Sequence, residues 1–260
     1  VGAGARVNYF IRRQPSDDPT IIEQVRPQLS VSVPLTRSPI SFSQLIGGLA
    51  FANNRVGVRD QDAERERLLS PSLGFRYDGR DGTVKPRHGG YFSINLVGNR
   101  VVNGEGSSYY RIDNDMRYLT PLDATTVLGM RSQASIQMGT YPEYIRFGLG
   151  GPGTIRGYER SDFRSAHRWT QSVELRMYPW AKRLYKLPFL GTTDFQFGLV
   201  AFVDTGIGWT TQSEFNIDNF HSGFGVGLRL FSAIEDVMSL DVGFTPDGNI
   251  RPYFTTGTNF

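Results

Sequence analysis

Hydrophobic and polar residues alternate along nearly the whole chain. Between Gln28 and Thr36, four aliphatic side chains alternate with glutamine and serine. A period of two residues places one set of side chains on each face of a β-strand, whereas a helix repeats about every 3.6 residues. The pattern predicts an all-β protein. The segments that carry it span residues 1–13, 28–36, 41–53, 69–77, 91–102, 107–121, 125–139, 167–178, 194–209, 223–232, 237–245 and 251–260.

The polar face of several predicted strands is charged. In segment 107–121, four charged side chains share one face and four large apolar side chains share the other. A transmembrane β-barrel accommodates both faces, because the apolar face meets lipid and the polar face meets a wet interior. Most of the segments are long enough to cross a bilayer at a tilt of about 45°. We therefore predict an antiparallel transmembrane β-barrel of about 12 strands, as a single domain over residues 1–260.

The amino-acid composition is compatible with this prediction. Hydrophobic residues make up 39% of the 260 residues, and no apolar run approaches the roughly 18 residues of a spanning helix. Barrel strands give only weak hydropathy signals, and the 13% aromatic content suits aromatic girdles. The absence of cysteine excludes disulfides and thiolate metal sites. The net charge of +3 is too small to indicate a nucleic-acid partner.

One charged stretch interrupts the alternation. Residues 59–67 read Arg-Asp-Gln-Asp-Ala-Glu-Arg-Glu-Arg. Charge runs are usually solvated, so we interpret this stretch as a long turn. A charged strand end or a short helix is the alternative.

The chain offers little catalytic chemistry. Gly148-x-Gly150-x-x-Gly153 matches a dinucleotide fingerprint in letters, but Pro152 stands where the helix would begin and no amphipathic helix follows. The three histidines, at positions 88, 167 and 221, are far apart and form no metal or nucleophile motif. We therefore expect no enzyme, no cofactor and no metal.

A glycine-rich loop, at about residues 140–166, is the most distinctive stretch. Its motif runs from Gly150 and Gly151 to Arg156, Gly157 and Tyr158. Glycine permits positive φ and close backbone approach, and a buried arginine requires carboxylate partners.

Two carboxylates on the following strands are candidate partners for that arginine. By parity, Glu174 and Asp204 point to the polar side, where they would neutralise an inward-folded Arg156. The alternative is that they are ordinary interior carboxylates that pair with neighbours such as Arg176 or Arg229. Parity does not decide between the two.

These motifs resemble the barrel region of the BamA/TamA superfamily, also called the bacterial surface antigen family. Residues 150–158 resemble that family's Arg-Gly-Tyr/Phe loop motif, and residues 202–206 resemble its Phe-x-Asp-x-Gly strand motif. Residues 172–175 resemble the acidic strand that follows the loop. The resemblance implies that Arg156 enters the barrel and pairs with Glu174 and Asp204.

The end of the chain resembles an outer-membrane targeting signal. Phe260 is similar to the terminal aromatic residue of that signal, and Tyr253 and Phe254 supply further aromatic side chains. The resemblance therefore implies the outer membrane of a Gram-negative bacterium, or an organelle of similar origin.

The resemblance also implies a function. Family members insert or translocate polypeptides, so membrane lipid, client polypeptides and a separate periplasmic domain are the expected partners. Familiar members have sixteen strands and periplasmic POTRA domains, which are not visible in this sequence. It is therefore either a short member or part of a larger barrel, and an even strand set with a coherent first strand favours the short member. The alternative function is a membrane anchor or a narrow plugged pore without activity on clients.

Overall fold

The protein consists almost entirely of β-strands. The computed structural model describes residues 2–11, 20–38, 41–58, 61–82, 85–103, 108–181, 183–187, 191–232 and 237–257. The strands are β1 (Gly2–Ile11), β2 (Thr20–Ser38), β3 (Ser41–Val58), β4 (Gln61–Asp78), β5 (Gly89–Val101), β6 (Ser108–Pro121), β7 (Thr126–Gly139), β8 (Phe147–Leu149), β9 (Phe163–Ser165), β10 (His167–Met177), β11 (Arg183–Leu187), β12 (Gly191–Trp209), β13 (His221–Ser232), β14 (Val237–Phe244) and β15 (Ile250–Thr256). Short 3-10 turns span Glu143–Ile145, Gln212–Glu214 and Ile217–Asn219.

Twelve strands pair in one long sheet, in the order β1 to β7, then β10, then β12 to β15. Neighbours in this order follow one another along the chain, which is the arrangement that antiparallel strands joined by hairpins produce. The small strand β11 pairs with β12 beside this path, and β8 and β9 form a separate two-stranded sheet. The predicted all-β class and the strand number of about 12 are therefore confirmed.

The apolar side chains of the strands face outward. In β2, Leu29, Val31, Val33 and Leu35 are between 42% and 64% exposed. Polar side chains of the opposite parity are buried instead; Asn54, Ser70 and Gln137 are each 3% exposed or less. This inversion is stable only if lipid covers the apolar face. Across the described residues, no helix has the length and apolar content that a membrane crossing requires.

The prediction of a long turn at residues 59–67 is wrong from residue 61 onward. Strand β4 begins at Gln61, and its charged stretch pairs with the end of β3. Hydrogen bonds from other parts of the chain also hold this stretch in place. Tyr144 donates a hydrogen bond to Glu66, and the side chain of Asn103 donates to the carbonyl of Arg65 over 2.6 Å. Charge alone therefore did not indicate a turn, because strand pairing and hydrogen bonds from residues distant in sequence hold this stretch.

The chain divides into two compact units. Unit 1 comprises Val1–Asp78, Phe92–Asn114 and Ser135–Arg146. Within it, a small apolar cluster is buried. Its members are Ala52, Leu68, Val101 and Tyr109, with Tyr141 and Ile145 packed against them. A polar cavity of about 470 Å³ adjoins this cluster.

Unit 2 comprises Gly79–Tyr91, Asp115–Ala134 and Phe147–Phe260, and it contains two buried apolar clusters. The first is Leu119, Val127 and Tyr178, with Phe231 against it. The second consists mainly of loop residues, namely Leu149, Ile155, Tyr158 and Phe163. The glycine-rich loop of residues 147–166 thus has a core of its own.

Candidate functional site

The glycine-rich loop of unit 2 is compact and closed at its base. Strands β8 and β9 pair over three residues each, which joins the two ends of the loop. Beyond them the chain turns at Gly150, Gly151 and Gly157, whose φ angles are +110°, +91° and +110°. The hydroxyl of Thr154 accepts a hydrogen bond from the Gly150 backbone N–H over 2.8 Å. These bonds present Arg156 to the buried face of the strands.

Arg156 is only 2% exposed, and its guanidinium is fully hydrogen-bonded. Nε and Nη2 donate to the two oxygens of Asp204 over 2.7 and 2.8 Å. Nη1 donates to Glu174 over 2.7 Å and to Asp241 over 3.3 Å. Nη2 also donates to the hydroxyl of Ser172 over 3.3 Å. The five N–H groups of the side chain therefore all have acceptors.

An aromatic ring completes the enclosure. The guanidinium carbon of Arg156 lies 3.4 Å from the ring centroid of Phe202, which is close enough for a cation–π contact. Burial alone would lower the pKa of Arg156. Its hydrogen bonds to Asp204 and the nearby charge of Glu174 raise that pKa above the ordinary value, so the side chain stays charged.

Two strand arginines balance the remaining negative charge. Arg176 lies 2.9 Å from Glu174, and Arg229 lies 2.5 Å from Asp241 and 3.6 Å from Glu174. With Arg156 and Asp204, the network therefore holds three guanidinium groups and three carboxylates. A buried network without net charge avoids the penalty that an unpaired buried ion would carry.

Glycines on the strands make room for the loop. A Cβ atom at Gly223 would lie 1.8 Å from the carbonyl oxygen of Arg156. A Cβ atom at Gly243 would lie 2.5 Å from the backbone nitrogen of Gly157. Any larger residue at either position would force the loop or the strand to move. The glycines of β13 and β14 thus set how closely the loop approaches the strands.

Tyr253 on β15 holds the loop through its hydroxyl. That oxygen accepts a hydrogen bond from the Gly157 N–H over 2.9 Å and donates one to the carbonyl of Tyr158 over 2.6 Å. Its side chain therefore contacts the loop, on the face opposite to Phe254, which is 61% exposed. Phe260 lies outside the described residues. The targeting role of these three aromatics stays a prediction.

The structure brings together Arg156, Glu174 and Asp204, the residues that the sequence singled out. It also contains the alternative pairings, since both Arg176 and Arg229 contact the carboxylates. Arg156 also has three contacts that the sequence did not predict, with Ser172, Phe202 and Asp241. For Asp241, parity was the available signal, because it lies on the same face of β14 as Ser239, and both are buried.

Unit 1 has a polar cavity of its own, of about 470 Å³. Its lining includes five side-chain amides, and Arg26 and Arg111 also contribute to it. Pairs such as Gln24 with Asn54 and Ser70 with Asn99 are hydrogen-bonded at its wall. Among the described residues, no group of three or more acidic or histidine side chains could hold a metal ion.

The chain matches one family model, described as the Omp85 superfamily domain, over residues 6–260. No curated protein matches the chain in sequence.

Solved structures match the chain in fold. BamA from Haemophilus ducreyi lacking POTRA domains 1–3 is 14% identical with a TM-score of 0.58, and the match covers 90% of this chain and 54% of that one. CdiB from Acinetobacter baumannii is 14% identical with a TM-score of 0.59, covering 90% and 42%. CdiB from Escherichia coli is 17% identical with a TM-score of 0.63, covering 90% and 45%. The chain thus spans about half the length of the structures it matches.

The family model spans nearly all of the sequence. The fold also agrees with that of the solved structures, although sequence identities of 14–17% are too low to show this similarity by themselves. This agreement confirms the resemblance found in the motifs. The protein belongs to the Omp85 superfamily and has its outer-membrane β-barrel fold.

Proposed function

We propose that this protein assists the insertion of polypeptides into the outer membrane of a Gram-negative bacterium, or their translocation across it. Membership of the Omp85 superfamily and the fold shared with BamA and CdiB support this proposal. Its expected partners are membrane lipid and client polypeptides, with a separate periplasmic domain as a further candidate. The work is physical and not enzymatic, so neither a cofactor nor a metal takes part.

The observation that carries the proposal is the enclosure of Arg156. A loop side chain is fixed by carboxylates from three different strands, β10, β12 and β14. The loop thereby fills the buried side of those strands through polar contacts, and a change in the contacts of one segment is a common way for a protein to switch between two states. A filling of this kind suits a protein that must keep ions back and still handle polypeptides.

Reconstitution into liposomes tests the proposal. We expect the protein to accelerate the folding of an unfolded outer-membrane β-barrel client, compared with empty liposomes and with liposomes that contain an unrelated barrel of similar size. Folding is followed by the gel-mobility shift of the heat-modifiable client, and translocation by protection from added protease. An unchanged client folding rate together with no protease protection would refute the proposal.

A narrow pore is the second candidate, and the polar cavity of unit 1 favours it. A cavity of about 470 Å³ lined by amides and arginines fills with water, and connected water conducts ions. The same liposomes distinguish the two candidates. Ion conductance without any effect on clients supports the pore, whereas client acceleration supports the insertase or translocator.

A further inference from the structure

The strand residues around Arg156 form a complete binding site for a guanidinium group. They offer a bidentate carboxylate, two further carboxylates, a hydroxyl and an aromatic face, and all of them lie on the walls of the sheet and not on the loop. Planar guanidinium is the cation that this combination recognises, because its fork of donors fits a carboxylate and its face stacks on a ring. We call these residues the guanidinium receptor, and they are Ser172, Glu174, Phe202, Asp204 and Asp241.

Charge balance shows what the receptor needs when the loop arginine is absent. Glu174 and Asp241 each keep a strand arginine, at 2.9 Å and 2.5 Å. Among the described residues, Asp204 forms its ion pairs only with Arg156, at 2.7 Å. Removal of the loop arginine therefore leaves one uncompensated negative charge, located on Asp204 and flanked by the hydroxyl of Ser172, which donates to it over 2.6 Å.

We propose that the guanidinium receptor, whenever Arg156 does not occupy it, binds an arginine side chain of another polypeptide. The vacated site carries one negative charge and keeps the hydroxyl of Ser172 and the ring of Phe202. All of its residues belong to strands and none to the loop. Lysine binds it more weakly, because an ammonium group cannot form the two parallel hydrogen bonds to Asp204. That the polypeptide is a client rests on the proposed function; the receptor's preference for guanidinium does not.

Chemical rescue tests the receptor directly. The variant Arg156→Ala, purified in detergent, removes the resident guanidinium and leaves the receptor intact. Methylguanidinium at low millimolar concentration should raise its midpoint of thermal unfolding in a saturable manner and restore protease resistance to residues 150–158. Wild-type protein, whose receptor is occupied, should show no saturable response.

Matched controls separate specific binding from a general salt effect. The half-saturating concentration of methylamine should be about tenfold higher than that of methylguanidinium, since methylamine lacks the paired donors. The double variant Arg156→Ala/Asp204→Asn should show no rescue. Equal responses of the single and double variants, or a response without saturation, would overturn the proposal.

Two further measurements keep the proposal testable. If Arg156→Ala folds poorly, methylguanidinium in the refolding buffer must raise its folded yield, and an unchanged yield counts against the receptor. A short peptide with one arginine should stabilise the variant more than the same peptide with lysine, and equal effects would exclude recognition of polypeptide arginine. These measurements need neither liposomes nor a client, so their failure is distinguishable from failure of the proposed function.

Discussion

At the scale of single residues, the site depends on one side chain whose hydrogen bonds are all made inside the protein. Arg156 directs its guanidinium to four side chains, and its backbone N–H donates to Asp204 over 3.0 Å as well. Asp204 therefore receives three hydrogen bonds from this one residue. Loss of a partner from such a network is more damaging than loss of an exposed pair, because the partner left behind stays buried and charged.

The substitution Arg156→Ala should lower the free energy of unfolding by about 3–5 kcal/mol, because it leaves Asp204 buried without a cation. Arg156→Lys should fall between this variant and the wild type, since it keeps the charge but not the bidentate bond. Urea titration after folding into lipid vesicles measures both. Arg160→Ala is the matched control, because that loop arginine is exposed, and it should stay within about 0.5 kcal/mol of the wild type. An equal loss in both alanine variants would contradict the buried network.

The substitution Tyr253→Phe removes one hydroxyl and leaves the Gly157 N–H without its acceptor. A loss of about 1–3 kcal/mol is expected, together with faster proteolysis within residues 150–162. The control is Tyr110→Phe, whose ring is 61% exposed on the outer face and which should behave like the wild type. If the loop of Tyr253→Phe is cleaved as slowly as the wild-type loop, the tyrosine does not hold it.

At the scale of elements, the glycines of the strands determine how closely the loop approaches the sheet. Gly223 of β13 and Gly243 of β14 lie against the backbone of Arg156 and Gly157, and Gly206 of β12 lies near the side chain of Ile155. Gly157 itself has a φ of +110°, and a Cβ there would lie 2.8 Å from the Thr245 methyl group. Loop and strands therefore approach this closely because Gly157 and the glycines that face its backbone lack side chains.

The substitution Gly223→Ala should displace the loop, because its methyl group would overlap the carbonyl oxygen of Arg156 at 1.8 Å. We expect a loss of about 1–3 kcal/mol or more, measured by thermal unfolding in detergent, and weaker protection of the loop from protease. Gly47→Ala in β3 is the control, because no atom lies within 4 Å of the added methyl group. Similar stability of the two variants would show that the loop does not approach β13 this closely.

Much of the element arrangement was predictable from the sequence. Period-two alternation identified the strands of the main sheet, and parity placed Glu174 and Asp204 on the buried side. Charge in residues 61–67 misled the prediction, because partners such as Tyr144 and Asn103 are distant in sequence and only the fold brings them near. The contacts of Asp241 and Phe202 with Arg156 were not predictable either. Parity gives the face of the strand on which a side chain lies, but it does not tell which strands meet at one point.

At the scale of the whole molecule, the inverted distribution of side chains determines where the protein can exist. Large apolar residues cover the outer face of strand after strand, while carboxylates and arginines are buried. Water would make this arrangement unstable, whereas lipid stabilises the outer face. Membership of the Omp85 superfamily agrees with such an environment.

The substitution Val226→Arg should destabilise the protein in bilayers by about 2–4 kcal/mol, since this side chain is 58% exposed in the middle of β13. The control is Ile217→Arg, at a position 84% exposed in the turn between β12 and β13, where water replaces lipid. Folding titrations in vesicles compare the two. A larger loss of stability in Ile217→Arg than in Val226→Arg would show that lipid does not cover the outer face of β13.

The most direct test of the account is a double-mutant cycle on the rate of client folding in liposomes. Arg156→Ala, Asp204→Asn and the double variant are each reconstituted beside the wild type, at equal folded amounts. If the contact between loop and strands supports the activity, each single variant lowers the rate of client folding about tenfold, which corresponds to about 1.4 kcal/mol of activation free energy. The double variant then lowers the rate no further. Wild-type rates in all three variants, or a double variant whose loss is the product of the single losses, would contradict the account.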